Sequence, residues 1–191
     1  MRPLGSLSFS EVQDLCAKAA RGAGLDWGLA EEAGFAARWL YARGLDGPGA
    51  LLGFLEEGSA ENSPLGVGTA ISDRAATVSA VPVRSPLLIL PFLFLAANEL
   101  GRTAQLVWQG NQVLVTPTGV IKGHVRELAS EALADVSITF GDDQSVPIYK
   151  SAMTEISPKT ISALTRLAME TTVPATAASR ADAGAGGGDN D

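Results

Sequence analysis

Apolar residues at helical spacing predict two helices at the start of the chain. Ser8 and Glu11 form an S-x-x-E capping box, in which each side chain satisfies a free amide at the helix start. After this box, apolar residues recur with the period of a helix, namely Val12, Leu15, Cys16 and Ala19. A second helix is predicted over residues 27–42, with Asp26 as its N-cap. Its inner stripe consists mostly of alanine, which permits the close approach of a neighbouring backbone.

The pattern continues with a short third helix and then changes character. Residues 48–57 favour a helix with proline in its first turn, and residues 59–68 favour a loop. Residues 77–83 predict a strand, and residues 87–90 predict a buried extended segment. Residues 91–100 then predict a helix, which a glycine at position 101 ends.

Turn signals in the second half of the chain predict antiparallel strands and a last helix. Gly110-Asn111 separates two strand-like segments and predicts the two-residue loop of a hairpin. A further strand is indicated by the alternation of Val136, Ile138 and Phe140. Ser157-Pro158 predicts the start of a final helix.

These elements predict an α+β fold in which N-terminal helices pack on a mainly antiparallel sheet, because helices and strands are segregated along the chain. We expect a single domain over residues 1–172, helical over 1–58, β-rich over 65–141 and helical again over 157–171. Residues 173–191 are expected to form an extended Gly/Ala-rich tail.

Composition removes several classes of function. The 191 residues carry a net charge of −7 without any cluster of Lys or Arg, so nucleic acid is not expected as a partner. The longest apolar run, residues 87–97, is shorter than the roughly 20 residues of a membrane-spanning helix. One cysteine and one histidine exclude a zinc site built from several cysteines and a histidine-rich metal site, and no metal ligand is assigned. A lone cysteine and the lack of an export signal predict a cytoplasmic protein.

Glu31 and Glu32 lie early in the predicted second helix, close to Trp27 and about two turns before Arg38. One interpretation is that the acids complement the helix dipole and that Arg38 is solvated. The alternative makes one of the acids a general base whose pKa is raised by burial against Trp27. In that case Trp27 and Arg38 would contact the substrate.

His124 is the one side chain whose ordinary pKa lies near neutrality. It follows Lys122 and Gly123 in a predicted turn, so it is either a surface residue or a catalytic acid or base. No G-x-S-x-G motif accompanies it. The glycines at 22, 24 and 28 follow a predicted helix rather than a strand, which favours a linker that ends the helix over a dinucleotide site. A general anion site at the start of the second helix stays open. The cofactor therefore stays unassigned.

Three segments resemble a bacterial family of unknown function. They are RGAGLDWGLAEEAGFAARWL at 21–40, VRSPLLILPFL at 83–93 and the ending VPATAASRADAGAGGGDND at 173–191. Members of that family end in a Gly-Ala-Gly-Ala-Gly tail that closes on Asp-Asn-Asp. The resemblance implies no activity or cofactor, but it implies that the tail is a family feature. We hypothesise that the tail packs near the second helix or on another subunit, where Arg180 would bind an acidic group.

Two functions remain open from the sequence. The first is a small-molecule enzyme or enzyme subunit that performs proton transfer or hydrolysis on a polar metabolite. Its candidate catalytic residues are Glu31, Glu32 and His124, and its candidate substrate-binding residues are Trp27, Arg38 and Arg180. The second is a non-catalytic protein that forms a homo-oligomer through its Ala/Gly-rich surfaces and supports a partner enzyme.

Overall fold

A computed structural model of the protein describes residues 7–57, 61–74, 77–151 and 155–170. The tail at 173–191, which includes Arg180, lies outside the described residues. The hypothesis about the tail therefore stays a prediction.

The first two helices begin where the sequence predicts. Helix α1 spans Phe9–Gly22, and both hydrogen bonds of the Ser8–Glu11 capping box are present. Helix α2 spans Trp27–Tyr41, and the Asp26 carboxylate accepts a 2.8 Å hydrogen bond from the Leu29 amide. The N-cap predictions are confirmed, because such caps depend only on residues three positions apart.

The predicted loop at 59–68 is wrong for its second half. Helix α3 spans Gly47–Glu57, as expected within one residue, and helix α4 then spans Pro64–Arg74. The sequence SPLGVG has the composition of a loop, but Gly68 faces the ring of Phe92, where any larger side chain would collide. Tertiary packing therefore overrides the weak helix propensity of glycine.

In the described part of the chain, five antiparallel strands form one sheet in the order β1-β5-β2-β3-β4. They are β1 Val78–Arg84, β2 Thr103–Trp108, β3 Asn111–Val115, β4 Ile121–Gly123 and β5 Leu133–Gly141. The prediction of an α+β fold with a mainly antiparallel sheet is confirmed.

The loop of the β2–β3 hairpin lies one residue earlier than predicted. Trp108 pairs with Asn111, so the two loop residues are Gln109 and Gly110 rather than Gly110 and Asn111. Their φ values are 43° and 80°. Two positive φ values are what the tightest hairpin turns require. The pairing register thus places a glutamine, a type that seldom adopts this conformation, at the first loop position.

The apolar run 87–90 is helical rather than extended. Residues Pro86–Ile89 form a 3₁₀ turn, which leads directly into helix α5, Leu90–Leu100. A short apolar run is compatible with a buried strand or a buried helix, and periodicity does not separate the two. Gly101 ends α5 with φ 63°, as predicted.

The predicted turn around Lys122 and Gly123 is also wrong, because both residues belong to strand β4. His124 follows them as the residue before a short helix, α6, Val125–Ser130. The outer edge of β4 is covered by a later segment, since the Tyr149 amide donates to the Ile121 carbonyl at 2.9 Å.

Helices cover the core side of the sheet, where α5 packs on β2 and β3. The last helix, α7, spans Pro158–Met169 and packs against α1 and α3. The largest fully buried side chains include Trp108, Phe92 and Leu40, which come from both the sheet and the helices. In the part of the chain described, no helix has the length and apolar character needed to cross a membrane.

Candidate functional site

Helices α1 and α2 pack with their backbones close together. A Cβ atom on Gly34 of α2 would lie 2.7 Å from the carbonyl oxygen of Gln13 and 3.0 Å from the Cβ of Ala17 on α1. Real Cβ atoms hardly ever approach a backbone oxygen that closely, so the helix separation depends on this glycine. The small-residue stripe predicted from the sequence is therefore buried inside the chain.

The same two helices border an open concavity of about 420 Å³, which we call the α1–α2 groove. It is lined from α1 by Gln13, Asp14, Ala17, Lys18 and Arg21, and from α2 by Trp27, Ala30 and Glu31. Two of these residues, Ala17 and Ala30, are small, and the others apart from Trp27 are polar or charged.

Trp27 is the most unusual of these residues, since 71% of its surface is exposed. The guanidinium carbon of Arg21 lies 4.5 Å from the centre of the Trp27 ring. Arg21 also donates a hydrogen bond to the Leu25 carbonyl. The cation–π contact and this hydrogen bond hold the indole beside the groove, with most of its surface accessible.

Four charged residues line the groove without neutralising one another. Asp14, Lys18, Arg21 and Glu31 form no ion pair within 4.0 Å with any residue that the structure describes. Two carboxylates and two cations are thus available to a ligand that carries charge of either sign.

The neighbouring acids Glu31 and Glu32 have different surroundings. Glu31 is exposed and lines the groove. Glu32 is half-buried, and burial raises its pKa, with further contributions from the carboxylates of Asp73 on α4 and of Glu31. Successive residues of a helix point about 100° apart, so only one member of the pair faces the groove.

The other predicted site residues are not brought to the groove. Arg38 is exposed further along α2 and does not line it. His124 is exposed next to the β3–β4 pair, where its Nδ1 atom lies 3.3 Å from the Gln112 carbonyl oxygen. The structure thus places Trp27 and Glu31 together, whereas Glu32, Arg38 and His124 lie elsewhere.

The α1 side of the groove was missed by sequence reasoning, although a signal for it exists. Asp14, Lys18 and Arg21 follow one another at spacings of four and three residues. Such residues lie on one face of a helix, and that face meets the start of α2. Within the described ranges, no three Asp, Glu, His or Cys side chains are grouped as a metal site would need.

Comparison with known proteins gives one family match. Residues 7–82 match the model of a family described as a protein of unknown function (DUF3726). No curated protein and no solved structure matches. The expected similarity to an uncharacterised family is confirmed over these residues. The match does not cover the segment at 83–93 or the tail, and it does not show a bacterial origin. The matched residues include all of α1 to α4, and hence the whole α1–α2 groove. This helical part of the chain is therefore similar to a family that has no assigned function.

Proposed function

We propose that this protein binds a polar small molecule in the α1–α2 groove and acts on it by proton transfer, as an enzyme or an enzyme subunit. The observation that carries the proposal is the Trp27 indole, which is 71% exposed and held by Arg21 beside Glu31. A large exposed aromatic surface in a concavity with several polar groups is typical of a small-molecule site.

The charges of the groove favour a ligand that carries both signs. Lys18 and Arg21 offer cationic donors from α1, and Glu31 offers a carboxylate from α2. None of these groups forms an ion pair with a described residue, although Arg21 is held against the Trp27 ring and the Leu25 carbonyl. Lys18 and Glu31 can therefore pair with a ligand, and Arg21 can offer it the remaining N–H groups. A zwitterionic or otherwise polar metabolite would be bound at both ends, with its planar or apolar part on the indole face.

Glu31 is the residue that we assign to the proton transfer. It lines the groove and has no cationic partner within 4.0 Å among the described residues, so its carboxylate can accept a proton from a bound ligand. Glu32 carries a raised pKa but does not line the groove. His124 would need a different site from the one that Trp27 and Glu31 share.

A thermal-shift screen against amino acids, hydroxy acids and sugar acids tests the binding step. A ligand at about 100 times its dissociation constant adds roughly 2.7 kcal/mol to the stability of the folded state. We expect a ligand that stabilises the wild type to lose its effect in Trp27→Ala and to keep it in Phe9→Ala. Phe9 is the matched control, because it is an exposed aromatic residue that does not line the groove. A screen without any stabilising ligand would contradict the proposal.

Solvent exchange tests the chemical step. If Glu31 moves a proton to or from the ligand carbon, incubation in D₂O with wild-type protein will place deuterium in the ligand, and mass spectrometry will detect it. If the ligand binds but gains no deuterium, the protein binds it without transferring a proton to or from carbon, and that part of the proposal is wrong.

A non-catalytic oligomerising role is the second candidate, and a different observation favours it. Trp27 and Met169 are both large apolar residues with exposures of 71% and 66%. Trp27 is the first residue of α2, shortly after the end of α1, and Met169 is the last residue of α7. Helices α1 and α7 pack against each other. Light scattering would support this role if the wild type is a dimer and the double variant Trp27→Ala/Met169→Ala is a monomer. A monomeric wild type would count against it.

A further inference from the structure

Arg43 has an unusual environment just beyond the end of α2. Its guanidinium carbon lies 3.6 Å from the centre of the Trp39 ring and 5.7 Å from that of Phe94. Its Nη1 donates to the Trp39 carbonyl at 3.2 Å, and its Nε donates to the Gly119 carbonyl at 3.3 Å. Two aromatic rings and two carbonyl groups thus fix the position of this side chain.

Among the residues that the structure describes, no carboxylate balances this cation. Arg43 is half-buried, and no Asp or Glu of the described chain comes within 4.0 Å of its nitrogen atoms. Partial burial lowers the pKa of Arg43, because water solvates the charge less well than in the open. An arginine carries five N–H donors, and among the described residues two of them meet a protein acceptor. The rings and carbonyls therefore offset the charge in part and leave several donors for another group.

Arg43 lines a concavity of about 270 Å³, which we call the Arg43 cavity. Its polar lining includes Arg43 and Tyr149, and its apolar wall consists of Val120, Ile121 and Ile148. None of its lining residues in the described part of the chain is acidic. Ile148 is 60% exposed although it is a large apolar residue. A cationic end and an apolar wall are therefore combined in a space somewhat smaller than the usual site for drug-sized ligands.

The turn that completes the Arg43 cavity is held rigidly. The Thr116 hydroxyl accepts from the Val120 amide at 3.0 Å, and the side chain of Asn98 donates to the Pro117 carbonyl at 3.0 Å. Gly119 has φ 80°, and a Cβ at this position would lie 2.8 Å from Nη2 of Arg43. The turn thus needs glycine both for its backbone conformation and to admit the guanidinium.

We propose that the Arg43 cavity binds a small carboxylate that has an apolar body. The carboxylate would pair with the fork of N–H donors on Arg43, in the bidentate geometry that arginine favours. The apolar body would lie against Val120 and Ile148 and cover surface that is otherwise exposed to water. Among the described residues, the cavity and the α1–α2 groove have no lining residue in common. This site is therefore independent of the proposed function.

Isothermal titration with phenylacetate, its neutral analogue phenylacetamide, and acetate tests the proposal. We expect phenylacetate to bind roughly 10- to 100-fold more tightly than phenylacetamide, which lacks the charge, and more tightly than acetate, which lacks the apolar body. In ¹H–¹⁵N spectra, phenylacetate should shift the amides of Gly119 and Val120. Equal binding of phenylacetate and phenylacetamide, or no binding of phenylacetate, would overturn the proposal.

Variants separate the site from the fold. Arg43→Met should lose phenylacetate binding, whereas Arg126→Met, which alters an exposed arginine on α6, should keep it. Where Arg43→Met fails to fold, Ile148→Asp and Ile148→Asn provide a matched pair at an exposed position. Both variants remove the same apolar contact, but only Ile148→Asp adds a negative charge. We therefore expect Ile148→Asp to bind phenylacetate about tenfold more weakly than Ile148→Asn. Unchanged affinity in folded Arg43→Met, or equal affinity in the Ile148 pair, would refute the site.

Discussion

The α1–α2 groove and the Arg43 cavity differ in charge and in the way the chain builds them. The groove carries two cations and two carboxylates on neighbouring helices, and its described lining residues lie between positions 13 and 31. The cavity carries one cation and an apolar wall, and its lining residues come from two regions of the chain, 42–43 and 119–151. The first is a product of local helix packing, and the second depends on contacts between distant segments.

The charges that line each concavity indicate which ligand it suits. Unpaired charges of both signs favour a polar ligand whose own charges match them, whereas a single cation above apolar residues favours a small amphipathic anion. Each concavity also depends on one glycine, Gly34 for the groove and Gly119 for the cavity. Substitution of these glycines should therefore disturb one concavity and leave the other intact.

The largest expected effect concerns catalysis in the groove. Glu31→Gln should lower the rate of proton transfer by roughly 10²- to 10⁴-fold, the usual contribution of a general base. The free energy of unfolding should change by less than about 0.5 kcal/mol, because the side chain is exposed. Deuterium incorporation measures the rate and urea denaturation measures the stability. A rate that stays within twofold of the wild type would remove Glu31 from the mechanism.

Gly34→Ala should push α1 and α2 apart, because the new Cβ would collide with the Gln13 carbonyl. We expect a loss of about 1–3 kcal/mol in the free energy of unfolding, together with loss of ligand binding in the groove. Phenylacetate binding at the Arg43 cavity should survive.

Gly53→Ala is the matched control for this substitution. Gly53 lies inside α3, and a Cβ at this position meets nothing within 4 Å. Alanine should therefore stabilise the helix by roughly 0.5–1 kcal/mol. If both variants have the same stability in urea, the close approach of α1 and α2 does not matter energetically.

Gly119→Ala should cost about 1–2 kcal/mol and abolish phenylacetate binding, because it strains a residue at φ 80° and displaces Arg43. Gly110→Ala is the control, since Gly110 also has φ 80° but its Cβ would meet no atom within 4 Å. The control should show the backbone strain and keep phenylacetate binding. Calorimetry on both variants makes this comparison, and equal loss of binding would contradict the contact between Gly119 and Arg43.

The smallest effect concerns the pH dependence of stability. Since the pKa of Glu32 is raised in the folded state, the folded protein holds its proton at pH values where the unfolded chain has released it. This contribution to stability is complete below the ordinary pKa of glutamate and is lost as the pH rises through the raised value. Glu32→Gln should remove that loss and raise the stability at pH 7 by up to about 0.5 kcal/mol. Urea titrations from pH 4 to 8 test this. If the free energy of unfolding falls more steeply with pH in Glu32→Gln than in the wild type, the prediction is wrong.

Local signals account for the parts of the fold that could be predicted from the sequence. The Ser8–Glu11 box, the Asp26 cap and the Gly101 stop each depend on residues within one helical turn. By contrast, α4 was missed because its helicity depends on the contact between Gly68 and Phe92, which are distant in sequence. The hairpin loop was displaced by one residue because the pairing of Trp108 with Asn111 involves the whole β2–β3 register.

The candidate site was predicted in part for the same reason. Trp27 and Glu31 lie one turn apart on α2, so their proximity follows from helix geometry, and the structure places both in the groove. Arg21 contributes from α1, and only the packing of the two helices shows that it meets Trp27. Arg43 lies one helical turn after Trp39, on which it stacks, but its contact with Gly119, 76 residues away, could not be predicted from the sequence.

A backbone-amide NMR titration with polar metabolites tests the central claim most directly, that the α1–α2 groove is the ligand site. For a metabolite found in the thermal screen, we predict shifts confined to amides of residues 13–31, with those of residues 119–121 unchanged. The same titration of Trp27→Ala should show no saturable shifts. Saturable shifts that lie outside residues 13–31, or that persist unchanged in Trp27→Ala, would contradict the account.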